Sequence, residues 1–252
     1  MRSDLYMITC AARTGSSLLE TSLLSHPDIQ SHGEVYHPNR VSALRGRYTA
    51  LIQNEERNSA LTRFRDKHQT AFLYKYVFDA QGKKAVGLKL KHEELFLPKF
   101  AETRETIRRD TDIKIIHLRR DNLFERYVSW YFATKVTRVT EIHSEEARPT
   151  FDMVEIPVKE CHIDLDRSAA RYVFFQKMYQ HHPIFEVTYE ELAGDQRNQT
   201  LEAIQRFLGV EPQELTSKLR KVVNKDLPSL VSNFSELAEY FSKTQHARFF
   251  EV

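Results

Sequence analysis

The segment from Leu5 to Cys10, LYMITC, is a short, mostly apolar run that stops at small residues, and Ser16 to Leu24 directly after it carries a helical pattern. A run of that kind suits a buried strand feeding a turn. Two further runs share its character, Ala85 to Leu90 (AVGLKL) and Ile113 to Leu118 (IKIIHL), each followed by a charged, helix-forming stretch. A fourth, Ile184 to Thr188, follows Pro183. Strands that alternate with helices predict an α/β three-layer sandwich: a mainly parallel central sheet flanked by helices on both faces. In such sheets, ligands sit beyond the carboxyl ends of the strands.

With 252 residues, 41% of them hydrophobic, and no break in composition, the chain can bury one sizeable core and is expected to form a single domain over residues 1–252. From 135 to about 162 no period is sustained, and Pro149 and Pro157 interrupt the stretch, so a long loop able to shape a pocket is expected there. From Arg167 onward helices dominate, and no internal repeat is visible. Lys and Arg total 37 against 35 for Asp and Glu, a formal charge of +2. That balance gives no general affinity for nucleic acid, so any anion site must be local. Cys10 and Cys161 stand far apart with no paired spacing, which argues for a reducing compartment. No apolar run approaches the roughly 18 to 20 residues that cross a bilayer, and no leader pattern opens the chain, so a cytoplasmic protein without stable membrane insertion is expected.

The junction between the first strand and helix reads CAARTGSSLL, Cys10 to Leu19. A glycine at such a turn lets the backbone curl its N–H groups around an anion, and the helix that follows adds unpaired N–H groups and the positive end of its dipole. Thr14 and Gly15 form the loop, Ser16 and Ser17 fall in the first helical turn where hydroxyls donate to phosphate oxygens, and Arg13 sets a fixed positive charge beside them. An ordinary strand-to-helix turn is the plain alternative. A triphosphate loop of the G-x-x-x-x-G-K-[ST] kind needs a second glycine and a lysine, and both are missing. Cys10 and Arg13 also stand too close in sequence for a phosphatase loop that wraps a whole phosphate.

The other informative stretch is IKIIHLRRDNLFERYVSWYFA, residues 113–133. A buried strand ends at Arg119 and Arg120, and Asp121 is expected to cap the next helix. On that helix Leu123, Tyr127, Trp130 and Tyr131 share one apolar face, read as core, while Asn122, Arg126 and Ser129 share another. Ser129 and an arginine at the strand end can converge on one anion. Arg126 is expected to be structural, paired with acids on a solvated face.

Taken together, these two segments resemble the sulfotransferases that use 3'-phosphoadenosine-5'-phosphosulfate (PAPS), particularly the bacterial carbohydrate and nodulation-factor type. ARTGSSLL is similar to the family's 5'-phosphosulfate loop, and LRRDNLFERYVSWY to its 3'-phosphate motif of arginine and downstream serine. SHPDIQSHGEVYHP, VGLKL, VTYEEL with FLGV, and KVVNKDLPSLVSNFSEL resemble later segments in the right order, so the similarity spans nearly the whole chain. Two departures stand out. Many members place the serine eight positions after the arginine, whereas Arg120 and Ser129 are nine apart. The glycine-rich basic element that closes the nucleotide site has no counterpart, and Lys221 or Lys225 is the candidate substitute by place in the tail.

The resemblance implies a P-loop-like fold and in-line transfer of the sulfuryl group from PAPS to an acceptor hydroxyl of a carbohydrate or glycolipid, with adenosine 3',5'-bisphosphate leaving and no metal. A noncatalytic PAPS or adenosine bisphosphate-binding protein and a P-loop kinase-like phosphotransferase are the alternatives. Glu34, in SHGEVYHP, stands where such enzymes carry their general base. Its solution pKa near roughly 4.3 calls for burial or a hydrogen bond that raises it, or acts as the proton leaves. His92, in LKLKHEEL, is the rival base, although histidines beside charged helix starts are expected to be exposed caps. His32 and His37 are candidate acceptor contacts, with Tyr36, Tyr74 and Tyr76 as candidate pocket lining. Arg13 occupies the place of a leaving-group stabiliser and Lys89 of an assistant. No ligand cluster of His, Cys and acids is evident, so no metal site is expected.

Overall fold

The structure is a computed structural model that describes residues 3–222 and 226–251. In chain order its main elements are β1 (Asp4–Cys10), α1 (Ser16–Leu24), β2 (Ile29–His32), α2 (Thr49–Gln53), α3 (Glu55–Lys67), α4 (Gln69–Phe72), β3 (Ala85–Lys91) and α5 (His92–Leu95). They continue with α6 (Ala101–Arg109), β4 (Lys114–Arg119), α7 (Leu123–Tyr131), α8 (Val158–Met178), β5 (Ile184–Thr188), α9 (Tyr189–Ala193), α10 (Arg197–Phe207) and α11 (Phe234–Phe241). The chain divides into two compact units, Met1–Arg119 with Phe174–Ser217, and Arg120–Val173 with Lys218–Val252.

The first unit holds a five-stranded sheet in the order β2-β3-β1-β4-β5, with every pairing parallel. Strand alternation sorts side chains to opposite faces. Met7, Leu88, Leu90 and Ile115 meet Leu61 of α3, Phe72 of α4 and Ile107 of α6, while Tyr6, Ile8, Ile116 and Val187 meet Leu19 and Leu23 of α1 and Leu201 and Ile204 of α10. The chain adds β3 on one side of β1 and β4 on the other, so the strand order reverses at the carboxyl end of β1, the place where such sheets bind ligands.

Three of the four expected strands are observed within a residue at either end, and the third is displaced by one, to Lys114–Arg119. The fifth, β2, has the sequence IQSH and gives almost no apolar signal; parallel pairing with β3 makes it a strand, and all four of its residues are buried.

The second unit is organised around Phe124, Tyr127 and Phe132, with Cys161 and Leu165 of α8, Leu237 and Phe241 of α11, and Phe249 and Phe250. The aromatic stripe of α7 is core, as its spacing predicts, with Trp130 and Tyr131 packed at the margin. Two readings are corrected. Asn122 rather than Asp121 caps α7, its side chain accepting from the Glu125 N–H at 2.9 Å. The long loop stops before Val158, where α8 begins, and bridges Ile142 to Arg220 and Val154 to Val231 tie it to the tail.

Candidate active site

The turn after β1 is built by backbone conformation. Arg13 and Gly15 both take the left-handed region, with φ of 68° and 84°, and the carbonyl of Gly15, just ahead of α1, accepts from the Leu19 N–H. A Cβ on Gly15 would sit 2.5 Å from Cδ2 of Tyr189, so both the backbone and the Tyr189 ring exclude a larger residue. The N–H groups of the first turn of α1 have no carbonyl upstream in the helix, which leaves them to an anion or solvent. Thr14 is buried and donates its hydroxyl to the Ala11 carbonyl at 2.9 Å, so it closes the turn and has its backbone N–H to offer. Burial pushes the Cys10 thiol up to about 11 against the opposing effects of Ser16, Lys89 and Lys91, which keeps it protonated and unsuited to nucleophilic attack.

β3 delivers two lysines to the same side of the sheet because Lys89 and Lys91 are two residues apart. Lys89, only 4% exposed, donates to the Ser17 hydroxyl at 3.0 Å and lies 3.3 Å from Glu20 and 3.2 Å from Glu34. Lys91 reaches the other Glu34 oxygen at 2.7 Å. Burial works against charge on Lys89, yet Glu20 and Glu34 outweigh it and hold its pKa above the ordinary value. For Glu34, burial alone would raise the pKa, but Lys89 and Lys91 bring it below the usual carboxylate range. Of the two routes expected for Glu34, a raised pKa is not found: its surroundings hold it ionised. Glu94, at the start of the next helix, goes the other way. Burial, with Glu34 adding to it, pushes it up to about 7 although it accepts from the Lys91 N–H at 3.0 Å.

The loop that carries Glu34 is pinned from behind. Arg65, fully buried, donates to the carbonyls of Val35, His37 and Arg40 at 3.0, 2.9 and 2.9 Å. Gly33 donates to Ala43, and the Ser42 hydroxyl donates to the Glu34 carbonyl. His32 is part of this support: its Nδ1 accepts from the Arg45 N–H at 2.9 Å and it has no exposed surface, so it is not an acceptor contact. His37 remains partly exposed. Tyr36 is wedged edge-on between Phe72 and Phe100, which corrects its place in the pocket lining, and Tyr76 stacks on Phe72. His92 is no exposed cap; it is 2% exposed and stacked on Phe175 with ring centres 4.2 Å apart. A base that must meet an acceptor hydroxyl needs a reachable edge, and Glu34 has one where His92 does not.

In the second unit, Arg120 is buried and lies 2.9 Å from the Glu125 carboxylate, whose other oxygen is 3.2 Å from Lys221. Burial raises the Glu125 pKa, but Arg120 and Lys221 overcome that and lower it. The structure thus brings Lys221 to Arg120, while Lys225 lies outside the described residues. Ser129 stands on α7, partly buried. Arg119 closes β4 in register with Thr188. Arg126 pairs with Asp164, as a structural arginine should, but it is buried rather than on a solvated face. Among the described residues His162, Asp166 and His246 form a cluster of ligand-type side chains that the sequence did not make evident.

A sheet whose strand order reverses beside a glycine turn and a helix N-terminus places this chain in the α/β class whose switch point suits an anionic, phosphorylated ligand. A model of the Sulfotransferase family matches residues 6–214. The chain belongs to that family and is a PAPS-dependent sulfotransferase. No curated protein matches the sequence at a significant level. Among solved structures, it is similar to a sulfotransferase from Alicyclobacillus acidocaldarius, with a TM-score of 0.53 and 20% identity over 96% of this chain and 92% of that one. It is also similar to a sulfotransferase domain from the curacin biosynthetic pathway, with a TM-score of 0.51 and 15% identity over 99% of this chain and 83% of that one. These two likenesses establish the shared fold.

Proposed function

We propose that the enzyme moves the sulfuryl group of PAPS onto a hydroxyl of a carbohydrate or glycolipid, with Glu34 taking the acceptor proton. The observation that carries this reading is Lys89, whose ammonium lies 3.0 Å from Ser17 of the glycine turn and 3.2 Å from Glu34. One buried cation ties the base to the anion loop, so both act within a single reach. PAPS supplies an activated sulfuryl group and departs as adenosine 3',5'-bisphosphate.

The chain's own groups do the rest. Backbone N–H groups of the Gly15 turn, with Ser16 and Ser17, hold the phosphosulfate end. Because the Ser17 oxygen accepts from Lys89, its own proton is left to donate to an anion. Arg13 neutralises charge on the departing oxygen and cannot itself give up a proton. Glu34 is ionised at neutral pH and weakly basic, so it takes the proton as the acceptor oxygen attacks rather than before. Arg119, Arg120, Ser129 and Lys221 serve the 3'-phosphate, a role supported by the basic pair that Glu125 holds in place. Residues 1–252 work as one sulfotransferase domain, and the free, buried thiols of Cys10 and Cys161 support a cytoplasmic setting. The carbohydrate class of acceptor rests on the likeness of ARTGSSLL and SHGEVYHP to carbohydrate sulfotransferases.

The test is transfer from sulfur-labelled PAPS to glycans, glycolipids and phenols with a chelator present, using wild type, Glu34→Gln and Arg13→Ala. Wild type should label glycans in chelator. Glu34→Gln should bind adenosine 3',5'-bisphosphate as wild type does while transfer falls roughly 10²- to 10⁴-fold. Arg13→Ala should weaken both. Equal transfer by wild type and Glu34→Gln removes Glu34 from the mechanism, and labelling of phenols alone removes the carbohydrate acceptor.

A further inference from the structure

Within the second unit, three side chains with ligand chemistry come to one point. His162 and Asp166 stand four residues apart on α8 and so project from one face, and His246 follows α11. Asp166 Oδ1 is 2.8 Å from His246 Nε2, and Asp166 Oδ2 is 3.4 Å from His162 Nε2. All three ligand atoms lie within 4.8 Å of one another.

We propose that His162, Asp166 and His246 bind a divalent transition-metal ion of the zinc type, with the fourth position left to water or an exogenous ligand. A tetrahedral ion with nitrogen and oxygen ligands at about 2.0 to 2.2 Å sets those atoms roughly 3.3 Å apart. Each imidazole already stands near that spacing from one Asp166 oxygen, His246 from Oδ1 and His162 from Oδ2, and with one ligand atom per residue the set lies within 4.8 Å, a spread that side-chain rotation closes. Imidazole with carboxylate is the donor set of zinc and its neighbours rather than of magnesium or calcium, which prefer all-oxygen shells.

The surroundings are those of a ligand site rather than of three chance neighbours. The Tyr240 hydroxyl lies 3.0 Å from His162 Nδ1, a partner that would take the ring proton when Nε2 ligates an ion. Gln245 donates to Asp166 Oδ1 at 3.0 Å and holds the carboxylate. Phe241 stands edge-on to the His162 ring at 5.2 Å, and Phe249 stacks against His246 at 5.8 Å, so both imidazoles are fixed by aromatic walls. Side-chain exposure is graded, 3% for His246 against 30% for His162 and 51% for Asp166, which gives one anchored ligand and an open approach for an ion. A bound ion would join α8 to the segment after α11, two parts of the same core, and binding to the folded state alone stabilises it.

The experiment titrates Co²⁺ into the full chain after chelator treatment and dialysis, follows the visible absorption of tetrahedral cobalt, and displaces it with Zn²⁺. Wild type should bind one equivalent and gain a higher unfolding midpoint with Zn²⁺. His162→Gln and Asp166→Asn, both at partly exposed positions, should fold with the wild-type circular dichroism spectrum and lose affinity by more than about 100-fold, with Tyr240→Phe losing about tenfold. His181→Gln, at an unrelated surface histidine, should bind as wild type. Absence of both the cobalt band and the zinc-dependent midpoint shift in wild type overturns the proposal, and so does equal binding by wild type and His162→Gln.

Discussion

Glu34 and Glu94 are two carboxylates that interact electrostatically and are driven in opposite directions by their neighbours. Two lysine ammoniums hold Glu34 ionised, whereas burial, with Glu34 itself adding to it, lifts Glu94 to about 7. The sign of the linkage follows. Between an unfolded value of about 4.5 and a folded value of about 7, the folded state keeps the Glu94 proton that the unfolded chain has released, so stability falls as pH rises across that window. The loss is on the order of 3 kcal/mol. Denaturant unfolding at a series of pH values should show it in wild type, and Glu94→Gln, which stays neutral and still accepts from Lys91, should flatten the profile. An unchanged slope in the variant would assign the dependence to other groups. Glu34 contributes the opposite way: its ion pairs are intact at neutral pH and are lost only as the solution is acidified through its lowered pKa.

Among the elements, the turn between β1 and α1 and the strand β3 carry the proposed site, and each has one residue whose replacement tests it. Gly15→Ala meets both the left-handed φ of 84° and the Tyr189 ring. The conformation alone costs about 1 to 2 kcal/mol, so affinity for adenosine 3',5'-bisphosphate should fall at least roughly tenfold by calorimetry while the sheet stays folded. Wild-type affinity in Gly15→Ala would show that the turn does not contact the nucleotide. On β3, Lys89→Met takes the shared partner from Glu20 and Glu34 but leaves them Arg45 and Lys91, so the cost should stay below the about 3 to 5 kcal/mol of a buried charge left with no partner. Adding Glu20→Gln to Lys89→Met should recover part of that loss in a double-mutant cycle, because it removes a buried carboxylate left with Arg45 as its remaining ion-pair partner. No recovery would mean that Lys89 matters through its stem and not its charge.

For the whole chain, the second unit draws its core from two distant stretches, with Leu230, Val231, Leu237, Phe241, Phe249 and Phe250 all supplied after Ser217. Burial of such side chains contributes about 1.5 to 3 kcal/mol each, so losing all of them removes more than the roughly 5 to 15 kcal/mol net that typically holds a domain together can absorb. A chain ended at Ser217 should therefore expose residues 120–173 to rapid proteolysis, and a protease-resistant 120–173 segment in that truncation would contradict the assignment of this core. The same scale explains why the fold is shared with sulfotransferase structures at only 15 to 20% identity. Strand order and the burial pattern are retained by many different apolar residues, since cores tolerate substitution that keeps volume and patterning.

Local pattern alone was enough for β1, β3, β5 and α1, because buried parallel strands and the glycine turn declare themselves within a few residues. The two-residue spacing of Lys89 and Lys91 puts them on one face of their strand. It could not say what that face meets: Lys89 pairs with Ser17 across 72 residues and Lys91 with Glu34 across 57, and only the sheet order brings those partners together. The same reason explains the strand IQSH, which exists by pairing and not by propensity, and the burial of His92 against Phe175, which no feature of LKLKHEEL announces. His162 and Asp166 sit at readable helical spacing, but His246 is far along the chain, and packing of the second unit supplies the third ligand. Short-range periodicity fixes which face a side chain takes, whereas charge pairing and burial depend on contacts between distant segments that form only when the chain is folded.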